Sequence, residues 1–134
     1  MKNKFILDTN VLIRFLTNDP KGQALQVENL FKKVEDKSLI IPDVVFIETV
    51  FVLLSVYELP KEEIVEKLST LVTFPKFDLG KTLLQKTLDL YGKYSISIVD
   101  AYIGAVSNTK PTQKIYTFDK RMQKIKEIKA IELG

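Results

Sequence analysis

Short apolar runs alternate with helical patterns along the whole chain. Phe5-Ile6-Leu7 reads as a buried strand ending at Asp8. From Asn10 to Leu16, the apolar residues Val11, Leu12, Phe15 and Leu16 follow a helical spacing. Pro20 restarts the chain at a position that suits a first helical turn. Ala24, Val27, Leu30 and Phe31 then make the stretch to Lys33 amphipathic. Leu39-Ile40-Ile41 predicts a second strand, closed by Pro42. Asp43 is placed to cap a helix running from Val44 to about Tyr57. That helix is apolar nearly all round, so it is either central or shared with a partner.

Pro60-Lys61-Glu62-Glu63 opens a further helix reaching about Phe74, and residues 75–79 have strand character. A helix is expected over 80–91, with Leu83, Leu84, Leu88 and Tyr91 on one side. Another covers Ser97 to Asn108, where Ala101, Gly104 and Ala105 are small enough for close packing. A strand over 114–118, a short helix over 119–125 and a strand over 129–133 complete the chain. Strands alternating with helices indicate a parallel α/β sheet. A length of 134 residues corresponds to one domain, covering 1–134.

Four acids interrupt this apolar pattern: Asp8 after Phe5-Ile6-Leu7, Glu48 within the apolar helix, Asp100 after Ile96-Ser97-Ile98-Val99, and Asp119 after Ile115-Tyr116-Thr117-Phe118. A carboxylate beside buried apolar residues loses hydration unless it is paired or holds a cation. Asp8 and Asp119 fall at the carboxyl ends of strands, where open parallel sheets bind ligands. Glu48 and Asp100 fall one turn into helices, from which a side chain can project over the sheet edge. Each Asp also has a local explanation. Asp8 and Asp119 can be helix N-caps, and Ser97-Ile98-Val99-Asp100 has the form of a capping box. Glu48 has no capping role. Together the four favour one acidic, cation-binding site, for which magnesium is the usual hard divalent ion.

Composition narrows the chemistry further. The chain contains no His and no Cys, which excludes imidazole bases, thiol nucleophiles, Cys/His zinc sites and disulfides. Asp8 and Arg14 break the N-terminal apolar stretch. The run from Val44 to Tyr57 is too short to span a bilayer and contains Glu48, so no membrane segment is expected and the protein reads as cytoplasmic. The net charge of +3 is compatible with nucleic acid. The late concentration of basic residues in Lys110, Lys114, Lys120, Arg121, Lys124, Lys126 and Lys129 reads, by itself, as a solvated face.

Leu7-Asp8-Thr9-Asn10-Val11-Leu12-Ile13-Arg14, the helix carrying Glu48, Val99-Asp100-Ala101 and Tyr116-Thr117-Phe118-Asp119 resemble, in order and spacing, the PIN-domain ribonucleases, and among them VapC-like toxins of toxin–antitoxin pairs. The resemblance covers the whole chain. It implies an α/β fold, a three-layer sandwich with a central parallel sheet. It also implies a magnesium site, with manganese as a substitute, formed by Asp8, Glu48, Asp100 and Asp119. Thr9 or Asn10 would support the first Asp, and Thr117 stands where a supporting hydroxyl is common. Ser97 departs from the pattern, since many relatives carry a further acid there. The implied activity is metal-dependent endonucleolytic cleavage of RNA, and the implied partners are a cognate antitoxin and a second copy in a homodimer. Arg14, Lys120, Arg121 and Lys124 are candidate phosphate contacts.

Two other readings exist. A phosphatase of the haloacid dehalogenase type needs a second Asp two residues after the first, where this chain has Asn10. A catalytically silent RNA- or protein-binding module on the same fold would be marked by loss of acids, and all four are present.

Overall fold

In the computed structural model, which describes residues 2–133, three prolines set where helices begin. Helix α2 (Lys21–Lys33), α3 (Asp43–Ser55) and α4 (Lys61–Thr73) each follow a proline in an extended conformation: Pro20, Pro42 and Pro60. The proline carbonyl accepts from the N–H four residues on, at Ala24, Phe46 and Ile64 respectively. The ring fixes φ and lacks an N–H, so a proline can start the hydrogen-bond ladder without continuing it backwards. Pro42 therefore holds the N-cap position expected for Asp43. Asp43 is instead the first helical residue, where its charge still favours the helix N-terminus.

The chain divides into two compact units, Met1–Gly80 and Lys81–Gly134. The first contains β1 (Phe5–Ile6), α1 (Thr9–Thr17), α2, β2 (Leu39–Ile40), α3, α4 and β3 (Phe77–Asp78). Its strands form a parallel sheet in the order β1-β2-β3, with Phe5 opposite Leu39 and Leu39 opposite Phe77. Leu7 extends the ladder through its N–H to the Ile40 carbonyl at 3.0 Å. The β1 run is less buried than its pattern suggests: Phe5 and Ile6 are 55% and 71% exposed, and only Leu7 is buried. β1 is the outer strand of this sheet, paired with β2 among the described residues.

Four phenylalanines organise the core of this unit. Phe15 meets Phe31 edge-on at 4.8 Å, Phe74 meets Phe77 at the same separation, and Phe31 lies 5.2 Å from Phe77. Such edge-to-face pairs add about 0.5–1.5 kcal/mol each beyond their burial. On α3, Phe46, Val50 and Leu53 are fully buried, whereas Val44, Phe51 and Leu54 are exposed. The all-round apolar pattern of this helix thus resolves into one covered and one open face.

The second unit contains α5 (Lys81–Lys93), α6 (Ile98–Ser107), β4 (Ile115–Tyr116), α7 (Lys120–Gln123) and β5 (Ala130–Ile131). β4 and β5 are parallel, with Ile115 opposite Ala130. Leu84, Leu88 and Tyr91 of α5 are buried, as are Ala101 and Ala105 of α6. Near the end of α5, Lys93 pairs with Glu127 at 3.2 Å and the Tyr94 hydroxyl donates to Glu127. Those contacts hold the Glu127 carboxyl below, and the Lys93 ammonium above, their ordinary ranges.

Gly104 is where the small-residue pattern of α6 has a steric cause. A methyl on its Cα would stand 2.7 Å from Ile128 Cδ1, 2.9 Å from Ile128 Cγ1 and 3.3 Å from Leu90 Cδ1. Gly104→Ala gains about 1 kcal/mol of helix propensity but overpacks a buried contact at a cost of about 1–3 kcal/mol. We expect denaturant unfolding to show Gly104→Ala as destabilised. Ile128→Val alone should also destabilise, yet added to Gly104→Ala it should recover part of the loss, because it removes the nearest carbon and leaves Cγ1. Simple additivity of the two losses would contradict this packing account.

Candidate active site

Three of the four predicted acids are set by adjacent residues, and Glu48 by a hydroxyl from another helix. Asp8 lies between β1 and α1 and is the N-cap of α1, its Oδ1 accepting from the Val11 N–H at 3.2 Å. Thr9 turns inward and is buried. Its hydroxyl donates to Glu48 Oε1 on α3. Thr9 therefore ties Glu48 to the residue next to Asp8, rather than bonding Asp8 itself. Asn10 is exposed and lines a groove with Asp8.

In the second unit, Ser97 is the N-cap of α6, its Oγ accepting from the Asp100 N–H at 3.0 Å. This is the serine half of the predicted capping box, and it sets Asp100 in the first turn. Ser97, the departure noted from the family pattern, thus has a capping function. Asp119 caps α7 through Oδ1, which accepts from the Arg121 N–H at 2.8 Å. The Thr117 hydroxyl accepts from the Asp119 N–H at 3.0 Å, and the Thr117 carbonyl accepts from Gln123 Nε2 at 3.0 Å. Thr117 thus supports Asp119 through the backbone.

The expectation that these acids are desolvated does not hold. Asp8 and Glu48 are exposed, and Asp100 and Asp119 are half-buried. An apolar run in sequence places its residues on both sides of a helix, and the acids take the side open to solvent. Hydrated carboxylates impose no folding penalty of the kind that forces pairing. Their common property is anchorage at an element's start or beside a buried hydroxyl. Within neither unit do three or more acidic side chains form a metal-binding group among the described residues.

The candidate basic contacts differ in their engagement. Arg14 Nε donates to Gln23 Oε1 at 2.7 Å. Arg121 lies 3.6 Å from Asp119, Lys120 pairs with Glu132 at 2.7 Å, and Lys124 is exposed at the end of α7. Exposed ion pairs of this kind contribute little to stability. Gln23 and Gln26 escaped the sequence reading. They line the groove with Asp8 and Arg14, yet on the polar face of α2 nothing in their spacing sets them apart.

The sequence matches the PIN domain family over residues 5–128, and the chain belongs to that family. It is a VapC-like PIN domain with an α/β, PIN-like fold, as the ordered acidic motifs implied. It is similar to a VapC ribonuclease of Aquifex aeolicus (strain VF5), 25% identical over 123 residues that make up 90% of this chain and 90% of the relative. Among the described residues, no helix is long and apolar enough to cross a membrane.

The caps yield a direct test. Asn caps a helix as well as Asp does, whereas Ala costs about 1 kcal/mol. Denaturant unfolding without divalent metal should place Asp8→Asn and Asp119→Asn near the native protein, and Asp119→Ala and Ser97→Ala about 1 kcal/mol below it. Equal losses in the Asn and Ala variants would mean that the charge, not the cap, holds these turns.

Proposed function

We propose that the chain is a divalent-metal-dependent endoribonuclease acting in the cytoplasm as the toxin of a toxin–antitoxin pair. In this reading residues 1–134 form one PIN domain. Asp8, Glu48, Asp100 and Asp119 hold magnesium, with manganese as a substitute. The observation that carries the reading is that a chain of this family has all four acids, each anchored at its backbone or by a hydroxyl and each at least partly open to solvent. The donor set fits the ion: carboxylate oxygens suit hard divalent cations, and the chain has no His or Cys to favour a softer one. A cation held there lowers the pKa of a water molecule and offsets charge on a phosphodiester.

The protein's own contribution is placement. The cap on α1 holds Asp8 at the end of β1, and the Thr9 hydroxyl orients Glu48. The Ser97 cap starts the turn that carries Asp100, and Thr117 steadies Asp119. Arg14, Lys120, Arg121 and Lys124 supply positive charge for the RNA backbone, a contact that weakens with salt. Arg121 stands beside Asp119 at 3.6 Å, so a cation held by that carboxylate would leave the guanidinium available to phosphate.

The test is cleavage of single-stranded RNA with magnesium, with manganese and with chelator. Cleavage leaving 5′-phosphate ends is expected only with metal, and Asp8→Asn and Asp100→Asn should each reduce it by about 100-fold or more, within the span typical of lost electrostatic stabilisation. Activity undiminished by chelator, or full activity in both variants, would sink the reading.

The open face of α3 supports the homodimer. Val44, Phe51 and Leu54 are large apolar residues exposed on one helix, and such patches mark interfaces. A twofold-symmetric pair is the commonest assembly. Light scattering should give the mass of a dimer, and Phe51→Glu with Leu54→Glu should give a folded monomer. A native monomer at high concentration would contradict this.

A further inference from the structure

The segment around β4 alternates strictly between open and covered side chains. Lys114, Tyr116, Phe118 and Lys120 are exposed, while Ile115, Thr117 and Asp119 between them are half-buried. The Thr117 N–H donates to the Ile131 carbonyl at 3.1 Å, and Asp119 is still extended. Successive residues of extended chain point to opposite sides, so Lys114, Tyr116 and Phe118 share one face. Tyr116 stands opposite Ile131 on β5, which adds exposed Ile131, and Leu133 two residues on, to that face. Tyr116 and Phe118 are 72% and 77% exposed, the most open aromatic side chains among the described residues. A contiguous apolar patch of this kind marks a binding surface. Positive charge surrounds it in exposed Lys114, Lys120 and Lys129. Lys129 donates to the Pro111 carbonyl at 2.7 Å, a contact that leaves its charge uncompensated. The one acid in residues 114–118 and 129–133 is Glu132, which Lys120 already pairs at 2.7 Å.

We propose that this β4–β5 face binds single-stranded RNA by stacking its bases on Tyr116 and Phe118, with Lys114 and Lys129 on the sugar–phosphate chain. The proposal rests on the ribonuclease reading for the nature of the substrate, but the way of binding follows from the face itself. Residues two apart on a strand are about 6.6 Å apart. That is nearly twice the roughly 3.4 Å between neighbouring nucleotides in a duplex strand. Rings at this spacing suit splayed bases, one to each ring, and not a helical stack. Bases inside a duplex have no free face for either ring, so the surface selects single strands. It does so with little regard to sequence, because every base has a π-face. Asp119 follows Phe118 directly, so a base on Phe118 brings its phosphate to the end of the strand where that acid stands. A second copy of the chain would also cover an apolar face, but charge argues against it here. A twofold contact lays a surface on itself, which would set these lysines against their own copies. The open face of α3, assigned above to the dimer, lies on a helix with no Lys or Arg.

The experiment titrates the protein, in chelator so that nothing is cleaved, with three probes of equal length. They are a mixed-sequence single-stranded RNA, an abasic ribose–phosphate strand, and the same RNA annealed to its complement. In the native protein, ring-proton resonances of Tyr116 and Phe118 should move upfield with the single strand and stay in place with the abasic strand and the duplex. Tyr116→Leu and Phe118→Leu keep apolar bulk and lose the π-face. Each should weaken single-strand binding about fivefold or more, the low end for one lost stack, without changing affinity for the abasic strand. Tyr116→Phe and Phe118→Tyr should bind as the native protein does. Rings unmoved by single-stranded RNA would overturn the proposal, and that result needs no variant to fold. Native affinity in both Leu variants, or equal losses for abasic and base-bearing strands, would overturn it too. So would a native dimer that the Leu variants convert to monomer, which would make this face an interface between copies. With magnesium, the Leu variants should raise KM for cleavage, as lost uniform binding does. Stacking in chelator without cleavage under any metal would sink the ribonuclease reading alone. Cleavage with native KM in both Leu variants would sink the stacking proposal alone.

Discussion

A hydrogen bond from the buried Thr9 hydroxyl to Glu48 joins the carboxyl end of β1 to the middle of α3. Two residues that are 39 positions apart in the chain are thereby held together. The constraint works because Thr9 follows Asp8 directly. Asp8 must stay extended to cap α1, so Thr9 opens the helix and turns its side chain inward. One dipeptide thus serves three ends: it stops a strand, starts a helix and orients a second acid. Placement of Asp8 and Glu48 follows from this junction rather than from packing of the acids themselves.

The proposed site asks two roles of its acids that compete in principle. Asp8 and Asp119 each spend one oxygen on a backbone N–H, which fixes the carboxylate without removing it from solvent. A capped helix start costs little and leaves a carboxylate with further lone pairs to offer. A fully buried acid would need a permanent partner to offset its desolvation. Solvent-open, locally anchored acids suit a cation that must exchange water and meet a large polyanionic substrate. The same logic explains Ser97, which sets the first turn of α6 without adding charge.

Much of this was legible in the sequence because the relevant signals are local. Strand ends at Asp8 and Asp119, helix starts after Pro20 and Pro60, the small-residue face of α6 and the caps at Asp8, Ser97 and Asp119 all follow from a few adjacent residues. The order of the four acids was enough to indicate the PIN family. What was not legible depends on distant chain. Periodicity cannot say which side of a fully apolar helix faces out, so the exposure of Glu48 and Phe51 was hidden, as was the inward turn of Thr9. Nor does an apolar run encode the exposure of Phe5 and Ile6. The Asp43 cap failed for a different reason: Pro42 already holds the extended conformation that a cap requires. Gln23 and Gln26 gave no signal, because polar residues on the outer face of a helix look alike until a groove is seen between α1 and α2.

The central claim is that these carboxylates bind a hard divalent cation and do not merely cap helices. Calorimetric titration of manganese into native protein, Asp8→Asn and Asp100→Asn tests it most directly, because Asn preserves the cap and removes the charge. The account predicts saturable binding by the native protein, lost or greatly weakened in both variants while their metal-free stability stays native. No binding by the native protein, or the same affinity in all three, would contradict it.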